Sequence, residues 1–330
     1  MEGYLGFDGV PTIWAGIMED IYEYLRPKLK VFEQVFEHPI VEVRLKAKGG
    51  GELSLGGARS LPLFSTQPFM PALALCVAET VDRYPEPIVR EFGDQLKDPI
   101  KWALKQMDEV HPDAISLRLD VKEGGWEEWV TQAGRVVEQV SESCDIPLIL
   151  DVDGNSNLVS QVIHRLSVKM NGRGALASAS LTNNYRLIVK AALQNGHAVV
   201  AETDCDPTTQ RTLNSKLLEA GLPEDSLLMD PTTASLGLGV EYSISILEQL
   251  RLDGLKGDEL TRFPIAALRA APASWKAREA WMEDPQLPPS RVRGALWEAH
   301  TATILTLAGS DLTAIMHPKA LEAVREAFKR

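Results

Sequence analysis

MDPTTASLGLGVEYS, residues 229–243, combines the end of a strand, a turn and the start of a helix in immediate succession. A short apolar run stops at Asp230, and Gly237 and Gly239 permit backbone angles and close approaches that a side chain would prevent. A helix is predicted over residues 240–255, and the free N–H groups and dipole at its start favour an anionic group nearby. Asp-Pro and Gly-x-Gly also occur in ordinary loops, so the stretch predicts either a functional rim or a plain connection.

Short apolar runs alternate with helical patterns along most of the chain, which favours parallel strands joined by crossover helices. Asp98-Pro99 and Asp206-Pro207 each predict a helix start, because proline is tolerated at the first helical position. Eight apolar runs predict eight strands and therefore a TIM (β/α)8 barrel. The runs cover residues 73–78, 114–119, 147–152, 174–179, 198–202, 226–229, 264–268 and 312–316.

The chain before residue 72 does not follow this repeat. Residues 14–36 suggest an amphipathic helical segment, and residues 40–63 alternate apolar and polar around three glycines, which predicts a β-hairpin. Such a hairpin could cover the N-terminal end of the barrel. The predicted organisation is a helical extension over residues 1–38, a β-hairpin lead-in over residues 39–71 and a TIM barrel over residues 72–330.

Composition places the chain among folded soluble proteins, since 45% of its 330 residues are hydrophobic and 24% are charged. The formal net charge of −12 disfavours nucleic acid, which would require a basic face. The N-terminus lacks a basic segment before an apolar run, and the sequence contains no stretch of about 18 uncharged apolar residues. We therefore expect a cytoplasmic protein with no membrane contact.

The residues that usually hold metals or perform nucleophilic catalysis are scattered. Cys76, Cys144 and Cys205 are too widely spaced for an iron-sulfur site, and the six histidines show no metal-ligand spacing. There is no GxSxG elbow, P-loop or GxGxxG motif. The sequence predicts no metal site, no iron-sulfur cluster and no catalytic residue in this chain.

Polar residues follow several predicted strands, at the barrel end where ligands bind. Carboxylates and amides can hold the donor and acceptor edges of a polar heterocycle such as a pterin. Asp206 and Asp230 also have structural explanations, as a helix cap and in a turn, and Glu202 ends the fifth strand. The candidate cofactor-binding residues are Asp151, Asn155, Asn183, Asp204, Asp230, Thr232, Thr233, Gly237 and Gly239.

Three long segments, in order, carry a resemblance to a known family. They are MDPTTASLGLGVEYSISILEQLRLDGLKGD (229–258), WKAREA (275–280) and GALWEAHTATILTLAGSDLTAIMHPKALEAVRE (294–326), with weaker likeness in LGGARSLPLF (55–64) and FGDQLKDPIKWALK (92–105). Over residues 40–328 the chain resembles the small, or delta, subunit of the corrinoid iron-sulfur protein. That protein works with carbon monoxide dehydrogenase/acetyl-CoA synthase, the acetyl-CoA decarbonylase/synthase system.

The resemblance implies a TIM barrel paired with a large subunit that carries the corrinoid-binding domain and a four-iron cluster. The heterodimer would pass a methyl group from a methyl-tetrahydropterin, of the methyl-tetrahydrofolate type, to acetyl-CoA synthase in the reductive acetyl-CoA (Wood–Ljungdahl) pathway of carbon fixation. The corrinoid (cobamide) would be shared with or held mainly by the large subunit. A methyltransferase and acetyl-CoA synthase would be transient partners, and this chain would not be catalytic alone.

The sequence departs from the family pattern at two places. Residues 64–68 read Phe-Ser-Thr-Gln-Pro where relatives carry Phe-Glu-Gly, and residues 204–206 read Asp-Cys-Asp where Asp-Ile-Asn is usual. Residues 1–37 contain none of the segments that carry the resemblance, so we expect this part of the chain to lie outside the family pattern. Three functions therefore stay open: a subunit that holds and shields the corrinoid, an autonomous pterin-binding methyltransferase that acts on a corrinoid protein, and a scaffold without cofactor contact.

Overall fold

Eight parallel strands form a ring in the computed structural model, which describes residues 35–64, 70–121, 124–231 and 234–329. After the hairpin strands β1 Val43–Lys46 and β2 Glu52–Leu55, the strands of the ring are β3 Ala72–Ala78, β4 Ala114–Asp120, β5 Leu148–Asp153, β6 Ala175–Ala179, β7 Ala198–Glu202, β8 Leu227–Asp230, β9 Ala266–Ala267 and β10 Leu312–Ile315. Their order is β8-β7-β6-β5-β4-β3-β10-β9, and a parallel bridge between Met229 and Ile265 closes the ring. The predicted TIM barrel is confirmed.

Helices connect successive strands of the ring. They are α1 Glu86–Phe92, α2 Pro99–Val110, α3 Trp126–Ser143, α4 Ser156–Ser167, α5 Tyr185–Asn195, α6 Pro207–Glu219, α7 Val240–Leu255, α8 Ala270–Ala273, α9 Arg278–Trp281, α10 Ser290–Ala308 and α11 Pro318–Phe328. Asp98 and Asp206 cap α2 and α6, each accepting hydrogen bonds from two backbone N–H groups, as the Asp-Pro pairs predict. Helix α7 begins and ends at the predicted residues.

Strand β9 is much shorter than its sequence predicts, whereas β6 and β10 are each shorter by one residue. The apolar run 264–268 forms only the two-residue strand β9, because the amide of Leu268 donates to Asp230 Oδ2 at 2.9 Å instead of to a neighbouring strand. Asp230 is 2% exposed and ends β8. The Asp230 side chain therefore replaces a strand-to-strand backbone hydrogen bond where β8 meets β9.

The predicted hairpin covers the N-terminal end of the barrel. Strands β1 and β2 pair antiparallel, with Val43 opposite Leu55. Both residues are buried in one apolar cluster with residues at the beginnings of barrel strands, such as Ala114, Ala198 and Leu312. Because the hairpin packs against this end, the carboxyl ends of the strands remain the open side of the barrel.

Hairpin and barrel belong to one compact unit, Val35–Arg330. The predicted helical extension over residues 1–38 lies almost entirely outside the described residues. Among the described residues, no helix is long and apolar enough to span a bilayer.

Candidate functional site at the barrel mouth

A cavity of about 860 Å³ opens at the carboxyl ends of the barrel strands. That volume lies in the range of small-molecule and cofactor sites. Its apolar wall includes Pro272, Trp275, Trp281 and Met316, and its charged floor includes Arg118, Asp153, Glu202 and Arg269. We call this the mouth cavity.

Arg269, two residues after the end of β9, joins three carboxylates on the floor of the mouth cavity. Its Nη2 lies 2.6 Å from Asp151 Oδ1, and its Nη1 lies 3.4 Å from Asp153 Oδ1 and 3.3 Å from Glu202 Oε1. Arg118 of β4 reaches Asp153 Oδ2 from the other side, at 3.2 Å. The floor is therefore a charge-paired network supplied by the three strands β4, β5 and β7 and by the loop after β9.

The backbone is strained where it contacts this network. Ser178 in β6 has a φ of 67°, unusual for a residue other than glycine, and the pairing of β6 with β7 shifts register between Leu176 and Ala179. The Ser178 hydroxyl donates to the carbonyl of Val152 at 2.7 Å and accepts from Arg269 Nη2 at 3.0 Å. The strain brings this hydroxyl to the arginine.

The pKa values of Glu202 and Asp153 move in opposite directions within this network. Burial raises the pKa of Glu202 to about 7, against the lowering effect of Arg269, and Asp151 and Asp230 add to the rise. Burial also acts to raise the pKa of Asp153, but Arg269 and Arg118 overcome it and hold that pKa below its ordinary value. Glu202 is therefore the floor carboxylate that changes charge near neutral pH.

We expect Glu202 to make the free energy of unfolding fall with rising pH. The folded pKa of about 7 exceeds the ordinary value of 4.5, so only the folded protein keeps this proton between those values. The stabilisation is complete below 4.5 and is lost as pH rises through 7, on the order of 3 kcal/mol in all. Urea denaturation of wild type and E202Q at about pH 5 and pH 8 checks this.

As the pH rises from about 5 to about 8, the free energy of unfolding of E202Q should increase relative to that of wild type. An equal difference in the free energy of unfolding between the two proteins at both pH values would contradict the raised pKa of Glu202. R269M supplies the internal control: removing the charge that lowers the Glu202 pKa should move the transition to higher pH.

Three of the nine predicted site residues lie at or directly behind the floor. Asp151 is 1% exposed and holds Arg269, and Asp230 holds the amide of Leu268. Asn183 donates through Nδ2 to the carbonyl of Ser178 at 2.5 Å and accepts from the amide of Ser180 at 3.2 Å. Asn183 therefore supports the strained turn.

The other six lie elsewhere or outside the description. Asn155 is exposed and caps α4, and Asp204 is exposed after β7. Gly237 and Gly239 have φ of 81° and 92°, and a Cβ at Gly237 would lie 3.1 Å from Ala277 Cβ, so that turn packs against the chain itself. Thr232 and Thr233 lie outside the described residues. Their proposed roles in cofactor binding stay predictions.

The sequence interpretation did not single out the two arginines of the floor. Arg269 immediately follows the predicted strand 264–268, so the rule that residues after each strand line the mouth could have found it. Arg118 was hidden inside an apolar run, and Trp275, Lys276 and Trp281 come from the connection between β9 and α10. Only the packing of that connection shows that they face the cavity.

Metal ligands are not grouped in the part of the chain that the structure describes. No three His, Cys, Asp or Glu side chains there are arranged to hold a metal ion.

The barrel and its polar mouth define a protein with the dihydropteroate synthase type of (β/α)8 fold. The structure of the Yersinia pestis enzyme superposes with a TM-score of 0.53 at 16% identity, covering 87% of this chain and 98% of that one. The Xanthomonas albilineans dihydropteroate synthase gives a TM-score of 0.55 at 15% identity, covering 87% and 97%. These likenesses show the fold.

Sequence similarity identifies the family within that fold. Residues 42–323 match the family described as CO dehydrogenase/acetyl-CoA synthase delta subunit. The delta subunit of the Archaeoglobus fulgidus acetyl-CoA decarbonylase/synthase complex is 35% identical over 324 residues, covering 93% of this chain and 71% of that subunit. The Methanocaldococcus jannaschii subunit is 33% identical over 335 residues, covering 99% and 79%. The chain belongs to this delta-subunit family, as the ordered segments predict.

Proposed function

We propose that this chain covers a corrinoid held mainly by a large partner subunit, while a methyl group passes from a methyl-tetrahydropterin to acetyl-CoA synthase. The observation that carries the proposal is the mouth cavity, which opens at the ligand-binding end of a barrel that matches the delta-subunit family over residues 42–323. The mouth would face the corrinoid and exclude water from it.

The cavity walls fit one face or edge of a corrinoid. Trp281 offers exposed apolar surface beside the buried Trp275 and Pro272, and Lys276 and Arg90 place donors at the rim for amide or phosphate groups. When bound, the corrinoid supplies the cobalt that carries the methyl group. The residues of this chain contribute contact, orientation and exclusion of water.

The charge pairing of the floor supports a covering role over bond-making. Asp151 and Asp153 are both engaged by Arg269, and Asp153 also by Arg118. A carboxylate whose charge is compensated in this way is a poor nucleophile, and Arg269 and Arg118 also hold the pKa of Asp153 below its ordinary value, which makes it a poor proton donor. The floor is therefore better suited to supporting the cavity than to reacting.

The test is corrinoid retention by the complex of this chain with its large partner. Trp281 is 49% exposed in the isolated chain and would be covered by the corrinoid or its partner. We expect W281A with K276A to weaken retention about tenfold, since truncating an interfacial tryptophan costs about 1–2 kcal/mol. Corrinoid absorbance after gel filtration measures it.

Lys48→Ala serves as the matched control. This exposed lysine lies in the hairpin turn at the opposite end of the barrel and pairs with Glu142 at 3.5 Å. Its removal should leave retention unchanged. If the complex with the W281A/K276A variant retains as much corrinoid as the complex with Lys48→Ala, the mouth does not face the corrinoid.

A second function is favoured by one specific observation. Glu202 lines the mouth cavity with a pKa of about 7, which suits a proton donor to the departing amine of a methyl-tetrahydropterin. The structural neighbour from Coxiella burnetii is a dihydropteroate synthase in complex with pteroic acid. An autonomous pterin-binding methyltransferase would use the same cavity.

The isolated chain separates the two functions. Mixed with methyl-tetrahydrofolate and reduced cobalamin, a covering subunit leaves the cobalamin absorbance at the rate of the protein-free control. Acceleration that E202Q abolishes would instead assign the methyltransferase.

A further inference from the structure

We propose that Arg269 is an internal occupant of a ligand site on the barrel floor, and that it prevents pterins from binding there. The inference rests on the proposed function and deepens it, because it makes Arg269 the residue that decides what the mouth cavity accepts. In the complex, this chain would then cover the cofactor, but it would not bind the methyl donor itself.

The geometry of Arg269 resembles that of a bound ligand more than that of a surface ion pair. The guanidinium donates at 2.6 Å to Asp151, at 3.0 Å to the Ser178 hydroxyl and across 3.3–3.4 Å to Glu202 and Asp153. Its side chain is only 20% exposed, and that of Asp151 is 1% exposed. Both terminal nitrogens are thus engaged at the centre of the strand ends.

Asp151 lies opposite Arg118 of β4 in the sheet, which adds positive charge nearby, but Arg269 makes the shortest hydrogen bond to it. The Ser178 hydroxyl lies 3.3 Å from Asp151 Oδ1 but donates at 2.7 Å to the carbonyl of Val152. A buried carboxylate without a cationic or strong donor partner is costly, so the position requires an occupant with planar N–H donors.

A pterin ring would present the same donors. Its 2-amino-4-oxopyrimidine portion contains a ring N–H beside an exocyclic amine, which together form a guanidine-like N–C–N edge. A carboxylate accepts two parallel N–H bonds from either an arginine or such an edge. Arg269 and a pterin would therefore compete for Asp151, and the arginine is covalently tethered.

The experiment measures binding of 2-amino-4-oxopteridine to the full chain by fluorescence titration. We expect R269A to bind it at least about tenfold more tightly than wild type, because a vacated polar site favours a ligand that restores its hydrogen bonds. Methylguanidinium should compete with the pterin in R269A. Lys48→Ala removes an exposed cation at the opposite end of the barrel without uncovering Asp151, and should bind as wild type does.

R269A/E202Q is the second variant. It removes one of the three carboxylates together with the arginine, so fewer unpaired negative charges oppose folding. The proposal is overturned if these variants bind pterin no more tightly than wild type, or if wild type already binds it as tightly. Failure of the proposed function appears elsewhere: the large partner would retain its corrinoid equally well without this chain, whatever the pterin titrations show.

Discussion

Replacing Arg269 with methionine is expected to lower the free energy of unfolding by about 3–4 kcal/mol at neutral pH, because it removes the hydrogen-bonded counter-ion of a buried carboxylate. Asp151 is 1% exposed and loses the partner at 2.6 Å, and Asp153 and Glu202 lose a shared counter-ion. Urea denaturation of R269M and wild type under the same conditions measures the loss.

Arg90→Met is the matched control for this prediction. Arg90 and Glu86 also lie 2.6 Å apart, but their side chains are 63% and 74% exposed. An exposed pair of this kind contributes only about 0.5 kcal/mol. D151N/R269M should recover much of the stability lost in R269M, since both charges are then removed. Equal effects of R269M and Arg90→Met would contradict the account of the floor.

Gly294→Ala is expected to destabilise the protein by about 2–3 kcal/mol, through overpacking against a ring that cannot move freely. Gly294 lies in α10, and a Cβ there would overlap the six-membered ring of Trp275. Trp275 is 4% exposed, stacks on His317 with ring centroids 5.9 Å apart and lines the mouth cavity. The variant should therefore also change tryptophan emission.

Gly134→Ala makes the same substitution where the structure has room. Gly134 lies in α3, and a Cβ there would meet Leu166 Cδ2 at 3.5 Å, an ordinary contact. Since alanine favours a helix over glycine by about 1 kcal/mol, this variant should be neutral or slightly stabilised. A stable G294A with unchanged emission would show that Trp275 is not held by close packing.

The fold could be predicted because its signals are local. Each barrel strand is a short apolar run, and Asp98-Pro99 and Asp206-Pro207 mark helix starts through bonds to amides two and three residues away. The prediction overestimated β6 and β10 by one residue each and β9 by three, and at β9 the amide of Leu268 bonds to Asp230, 38 residues earlier in the chain. No local pattern contains that contact.

The site could be predicted only in part, because its chemistry depends on distant pairs. Asp151 follows from its position at a strand end, but its partner Arg269 lies 118 residues later. Without knowledge of that partner, the sequence predicts free carboxylates at the barrel mouth that would suit a pterin. In the folded protein the carboxylates of the floor are paired with arginines. The Gly237 turn is predicted by local signals, yet its close neighbour is Ala277.

The most direct test of the central claim is a mass-spectrometric footprint of the chain, alone and in complex with the large corrinoid-carrying partner. Lys276 and Trp281 are exposed at the mouth, and Lys46 and Lys48 lie in the hairpin at the opposite end. If the mouth covers the corrinoid, labelling of Lys276 and oxidation of Trp281 fall in the complex while both hairpin lysines react as before. Protection of the hairpin lysines with an unprotected mouth would contradict the account.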